Sequence, residues 1–240
     1  MINTGDMQIS HCDFPEGILY DLDNLIWLKN DDNDRSIVTL GVTPILISLA
    51  GKLIKIKLKE IGTIIEKNKS VGSIESLRYF GMVRCPIKGK IIELNNALSD
   101  YPKTVNDSPY SKGWFVRIKI QNSDSSIESD SNYDNLKFID ECHGEIKKLI
   151  EKLHIRCFSA FPDYEMFEIG VECAATLTKL DELIGKIDVG NIVHVVSDDT
   201  SADLEMIRWS EERGQNLLEV RKEGNLYHFI VKKIKQNKIK

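Results

Sequence analysis

From Leu19 to Lys119, apolar and polar residues alternate over short stretches of β-branched and aliphatic residues. Turn signals cut this run at Asp31-Asp32-Asn33-Asp34, Gly41, Gly62, Lys67-Asn68-Lys69, Gly72, Gly89 and Gly113. Period-two patterning interrupted so often predicts many short strands folded into a β-sandwich or flattened barrel. One helical interruption fits Thr43 to Ala50, with Pro44 in its first turn and Gly51 just past its end. Two β segments around a turn are expected at Ser73-Ile74-Glu75-Ser76-Leu77-Arg78-Tyr79, and a second Pro/Gly-marked turn at Cys85-Pro86-Ile87-Lys88-Gly89-Lys90. The first hairpin holds one side chain out at its tip, and the candidate is Arg78.

Outside this run the pattern changes. Residues 1–16 show no sustained periodicity and read as an N-terminal extension, while residues 121–133 are polar and Ser/Asp-rich and read as a linker. Leu136, Ile139, Cys142, Ile146, Leu149 and Leu153 then recur at three- and four-residue intervals, the signature of one helix face. A second unit, residues 163–240, begins with alternation from Tyr164 to Glu172. Ala174, Leu177, Leu180, Leu183 and Ile184 make a helix face, and Asn191 to Val196 a second strand. Ala202 to Arg213 makes another helix, capped by Ser201 or Thr200 and stopped by Gly214. Leu217 to Lys222 and Leu226 to Lys232 form a hairpin about Glu223-Gly224-Asn225. The order is βαβαββ, two layers with the helices on one face of a mixed sheet, so the whole chain reads as α+β.

Composition narrows the function classes. The chain has 240 residues, 42% of them hydrophobic, enough for two cored domains. A net charge of -5 argues against nucleic acid or an anionic membrane as partner; Lys and Arg read as scattered, apart from a locally basic end, Lys232 to Lys240, taken as a solvated, frayed tail. No stretch is apolar enough to span a membrane and no leader pattern opens the chain, which suggests a cytoplasmic protein. Five widely spaced cysteines (Cys12, Cys85, Cys142, Cys157 and Cys173) do not suggest a disulfide framework, so free thiols are expected. Cys142-His143 with His154 and Cys157 matches no zinc spacing, and no metal site is expected. Trp27 and Trp114 read as packing residues.

The first unit resembles the glycine cleavage system H protein, a relative of lipoyl domains. The resemblance is carried by Val38-Thr39-Leu40-Gly41-Val42-Thr43, Leu49-Ala50-Gly51, Ile61-Gly62, Ser73-Ile74-Glu75-Ser76, the run from Pro86 to Leu98, Pro102, Val105 to Tyr110, and Gly113-Trp114-Phe115-Val116. It implies a hammerhead-like β-sandwich ending in a helix, hence a domain over residues 17–153. In that family a hairpin lysine carries lipoate as an amide. The matching position here is Arg78, whose guanidinium stays protonated and is a poor nucleophile, so no lipoate is expected as cofactor. Lys69, Lys88 and Lys90 are the nearby alternatives for attachment. Arg78 itself is either an exposed turn residue without a task or a fixed charge that docks an acidic partner or ligand.

Residues 164–233 resemble the TusA/SirA-like sulfur-carrier family, on Gly170-Val171-Glu172-Cys173, Val189-Gly190, Val195-Val196-Ser197-Asp198-Asp199, Trp209, Gly214, Leu217 to Val220 and Tyr227-His228-Phe229. In that family the matching cysteine accepts a persulfide sulfur, making Cys173 the persulfide-carrier candidate. A cysteine where a strand meets a helix N-terminus is expected to favour thiolate. The sequence departs from the family at Ala174-Ala175-Thr176, where its prolines are missing, and at Phe167 and Ile169, where it usually has an acidic and a basic residue.

These resemblances imply a carrier or adaptor of sulfur trafficking rather than an enzyme, with sulfurtransferase-like activity confined to Cys173. Its partners would be sulfur-donor and sulfur-acceptor proteins, with lipoate-handling or glycine cleavage proteins also in view. A non-catalytic regulatory or scaffold protein with both carrier positions lost is the first alternative, and an aminomethyl carrier of glycine decarboxylation the second.

Overall fold

The computed structural model describes residues 6–120 and 135–235. The expected linker at residues 121–133 lies outside them. The chain divides into two compact units, Met1–Cys157 and Phe158–Lys240.

The first unit opens with β1 (Asp6–Ile9) and β2 (Cys12–Pro15), an antiparallel hairpin within the residues read as an N-terminal extension. Cys12 and Phe14 are fully buried, so this hairpin belongs to the core. Next come β3 (Leu19–Asp21), β4 (Ile26–Asn30), β5 (Ile37–Val42), α1 (Pro44–Ala50), β6 (Leu53–Leu58), β7 (Ile64–Ile65), β8 (Lys69–Ser76), β9 (Phe80–Cys85) and β10 (Gly89–Leu94). Two one-turn helices that sequence periodicity does not reveal follow, α2 (Ala97–Asp100) and α3 (Thr104–Asp107). Then come β11 (Val116–Ile120), β12 (Leu136–Lys137) and α4 (Ile139–Leu153). Seven strands form one antiparallel sheet in the order β12-β3-β4-β5-β11-β10-β7, and β6-β8-β9 form a second.

Trp27 anchors the larger sheet. Its indole Nε1 donates to the Val42 carbonyl at 3.1 Å, and its cross-strand partner is Gly41. A Cβ at Gly41 would lie 2.3 Å from the Trp27 ring, so only glycine admits this packing. The α4 stripe Ile139, Cys142, Ile146 and Ile150 packs with Ile9, Cys12 and Phe14 in one cluster. Cys12 and Cys157 are joined by a disulfide across 145 residues of sequence. This corrects the expectation of free thiols: two of the five cysteines are bonded, and Cys85, Cys142 and Cys173 are free. Sequence spacing could not show this pair, because the N-terminal hairpin brings Cys12 to the end of α4 only in the folded unit.

The second unit contains β13 (Tyr164–Glu168), α5 (Cys173–Lys186), β14 (Ile192–Ser197), α6 (Ala202–Arg213), β15 (Asn216–Glu223) and β16 (Leu226–Lys232). Strand order is β13-β14-β16-β15, with β13 parallel to β14 and the other pairs antiparallel. The βαβαββ order is the one periodicity predicts, although the first strand stops at Glu168, two residues before Gly170 turns the chain at positive φ. Val193, Val195, Phe229 and Val231 pack against Leu180, Ile184, Met206 and Trp209, which puts both helices on one face. On the other face the buried His194 and His228 rings are 3.0 Å apart, nitrogen to nitrogen, beneath Phe158. Lys233, within the basic end read as a solvated, frayed tail, is instead fully buried and donates from Nζ to the Ile187 carbonyl at 2.7 Å. Residues 236–240 lie outside the described residues.

Candidate functional site

Two places could carry chemistry, one in each unit. In the first unit the β8–β9 hairpin is organised by one hydroxyl. Ser76 Oγ donates to the Ala50 carbonyl at 2.6 Å and accepts from the backbone N–H groups of Arg78 (3.2 Å) and Tyr79 (3.1 Å). Leu77, at the tip, is 94% exposed.

Arg78 is exposed but held. Its guanidinium Nη2 donates to the Ser48 carbonyl at 3.1 Å, in the last turn of α1, where unpaired carbonyls carry partial negative charge. Gly51, which ends α1 at φ 79°, makes room for it: a Cβ there would fall 2.8 Å from Arg78 Nε. Gly51 is fixed in turn by Asn106 of α3, whose Nδ2 donates to the Gly51 carbonyl at 3.0 Å while its Oδ1 accepts from Leu53 N–H at 3.0 Å. Hydrogen bonds thus run from a buried asparagine to the helix end that receives the tip residue.

The guanidinium offers charge and donors but no nucleophile. The neighbouring lysines stand elsewhere. Lys69 begins β8, at the end of the strand away from the tip, and Lys88 lies 3.0 Å from Glu66.

In the second unit Cys173 is the first residue of α5, as the strand–helix reading places it, and is only 5% exposed. Its backbone N–H donates to Asp199 Oδ2 at 2.8 Å, and Gly170 N–H donates to Asp198 Oδ1 at 2.8 Å. The two aspartates that follow β14 therefore clamp the β13–α5 connection. Ser201 N–H, Cys173 N–H and the Ser201 hydroxyl together hold the Asp199 carboxyl below its usual range.

This geometry corrects the expected thiolate. Burial, and then the charges of Asp199 and Glu205, push the Cys173 thiol up to about 11. The carboxylate of Asp199 sits on the N–H that would otherwise have favoured a negative sulfur. Sequence reasoning placed Cys173 on the right element but missed Asp199 as its neighbour, since 26 residues separate the two.

The remaining free thiols are still less available. Burial raises Cys85 to about 12, and burial followed by Glu145 raises Cys142 to about 11. Cys142 Sγ donates to the Phe138 carbonyl at 3.1 Å. Among the described residues no three His, Cys, Asp or Glu side chains gather as a metal-ligand group, and no helix is long and apolar enough to cross a membrane.

Comparison with known proteins bears on the first unit. Residues 19–140, slightly more than half the chain, match the family described as glycine cleavage H-protein. A probable glycine cleavage system H protein 2 of Sulfurisphaera tokodaii is 38% identical over 116 residues, covering 48% of this chain and 77% of that protein. Glycine cleavage system H protein 2 of Aquifex aeolicus is 34% identical over 146 residues, covering 61% and 86%. A solved H protein from Mycobacterium marinum superposes with a TM-score of 0.46 at 23% identity, over 55% of this chain and 98% of that chain.

Proposed function

The chain belongs to the glycine cleavage H-protein family, and from that premise we propose that it is a carrier-family adaptor that bears no lipoyl group. Arg78 is the observation that carries this reading. It occupies the hairpin position where the family resemblance places the lipoyl lysine, and its guanidinium lies on the Ser48 carbonyl at the end of α1. An amine that deprotonates can attack an activated lipoyl ester, whereas a guanidinium remains a cation. The hairpin then serves to dock partners rather than to display cargo, and lipoate-handling or glycine cleavage proteins are the partners this reading favours.

Intact-mass measurement after incubation with lipoate, ATP and a lipoate ligase tests it. The native protein gains no lipoyl increment, and Arg78→Lys gains one. A lipoyl increment on the native protein overturns the reading.

The role of the second unit turns on Cys173. A thiol 5% exposed and raised to about 11 favours an adaptor in which both carrier positions are closed. The placement of Cys173 at the start of α5, in a βαβαββ unit resembling the TusA/SirA-like family, favours a second reading, a sulfur relay between donor and acceptor proteins. In that step the Cys173 thiolate attacks the outer sulfur of a donor persulfide. A new sulfur–sulfur bond forms at Cys173, the donor's own sulfur–sulfur bond breaks, and the donor leaves as a thiolate. Incubation with a persulfide donor separates the two: one sulfur increment that disappears in Cys173→Ser supports the relay, and no increment supports the closed adaptor.

A further inference from the structure

Between Lys52 and Lys90 the chain carries ten of its 32 Lys and Arg but only three of its 37 Asp and Glu. Read as a sequence, the basic residues are dispersed among strands and turns. The fold sets four of them, Lys55, Lys57, Lys69 and Arg84, on the three-stranded sheet β6-β8-β9.

One face of that sheet is core, with Ile56, Ile74 and Val83 buried. The other is built in cross-strand rows, Lys55–Glu75–Phe80 and Lys57–Ser73–Met82, with Arg84 next along β9. Phe80, the first residue of β9 after the turn that holds Leu77, is 66% exposed, and Met82, two residues further along the strand, is 53% exposed. β9 is also an edge of its sheet, with pairing on one side only among the described strands. Large apolar side chains collected on an exposed strand mark a surface that is covered by something else.

We propose that this face is a docking surface for an acidic partner protein, whose apolar contact covers Leu77, Phe80 and Met82 while its carboxylates meet Lys55, Lys57 and Arg84. An apolar centre with a charged rim is the anatomy of a protein–protein contact. The basic rim lies in a chain whose net charge is -5, so it steers acidic partners toward this face and away from the rest of the surface. Glu75, set between Lys55 and Phe80 with its carboxylate 4.0 Å from Lys55 Nζ, is out of place on a phosphate-tracking or anionic-lipid surface but tolerable in a protein contact. The proposal deepens the adaptor reading by giving the chemistry of the partner, and it is tested by binding rather than by mass, so the two can fail separately.

The test uses the full chain and fluorescence anisotropy with a labelled peptide of alternating Glu, Leu and Phe. Poly-L-glutamate, a short DNA duplex and phosphatidylserine vesicles serve as competitors. The peptide binds more tightly than poly-L-glutamate. Lys55→Glu combined with Lys57→Glu weakens binding by about tenfold or more at low salt, and Phe80→Ser weakens it at high salt as well. Lys147→Glu combined with Lys148→Glu, on the exposed side of α4, leaves binding unchanged. Thermal unfolding confirms that each variant is folded. The proposal is overturned if the β6 variants bind like the native chain, if poly-L-glutamate binds as well as the peptide, or if DNA or vesicles displace the peptide and lose affinity with the same substitutions.

Discussion

The Arg78 guanidinium is hydrogen-bonded through Nη2 to the Ser48 carbonyl at 3.1 Å, so the tip of the β8–β9 hairpin is tied to the end of α1. The Arg78 side chain, though exposed, is thereby folded back onto the end of α1.

Gly51 is the residue this arrangement depends on. Gly51→Ala places a Cβ 2.8 Å from Arg78 Nε at a backbone φ of 79°. A loss of about 1–3 kcal/mol is expected in urea unfolding. Adding Arg78→Ala to that variant recovers the part due to the contact and leaves the part due to backbone strain. Full recovery to native stability would show that the backbone angle costs nothing.

Asn106→Ala removes both the donor to the Gly51 carbonyl and the acceptor of Leu53 N–H, leaving two buried backbone groups unanswered. A cost of about 1–3 kcal/mol per group is expected. Asn106→Asp keeps the acceptor but sets a buried carboxylate oxygen against the Gly51 carbonyl, so equilibrium unfolding at pH 7 should rank it no more stable than the alanine variant.

Thiol titration of the denatured chain without reductant should find the three free cysteines, Cys85, Cys142 and Cys173, and five after reduction. Replacing Cys12 and Cys157 together by Ser should cost about 2–4 kcal/mol, because the bond closes a long loop in the unfolded chain. A count of five without reductant would mean that the pair is not joined.

Alkylation of Cys173 by iodoacetamide, followed by peptide mapping, should be slow at pH 8 and still rising above pH 9, since the thiol is held at about 11 against an ordinary value of 9.0. Asp199→Asn removes the nearest negative charge and should speed the reaction at pH 8. The sign for stability follows: the folded unit keeps its proton where the unfolded chain loses it, so stability is complete below pH 9 and declines as pH rises toward 11. Asp199 acts at the other end of the scale. Its depressed carboxyl contributes stability above pH 4 that is lost as pH falls through its folded value, and urea unfolding of Asp199→Asn should show a smaller acid-side loss.

Elements set by neighbouring residues are legible along the chain. Pro44 and Gly51 bracket α1, the spacing of Ile139, Cys142 and Ile146 gives α4, and the alternation and turns after Asp163 give βαβαββ. The sequence also placed Arg78 at the hairpin tip and Cys173 at the start of α5. In each case the information lies within a few residues, where helix and strand periods operate.

Tertiary structure alone decided what surrounds those residues. Ser48 is 30 residues from Arg78, Asp199 is 26 from Cys173, and Cys157 is 145 from Cys12. The β1–β2 hairpin has too few residues to show a period, and its burial comes from α4 at the other end of the unit. The face carrying Lys55, Lys57, Phe80 and Met82 arises because β6, β8 and β9 lie side by side, which sets lysines of β6 in the same cross-strand rows as Phe80 and Met82 of β9, with β8 between. Hydrogen bonding, burial and charge act over ångströms in space, whereas sequence patterns report only what is close along the chain. For that reason the Cys173 thiol, expected to be activated, is instead raised by burial and by neighbouring carboxylates, and Arg78, expected to stand out at the tip, is hydrogen-bonded to a helix end.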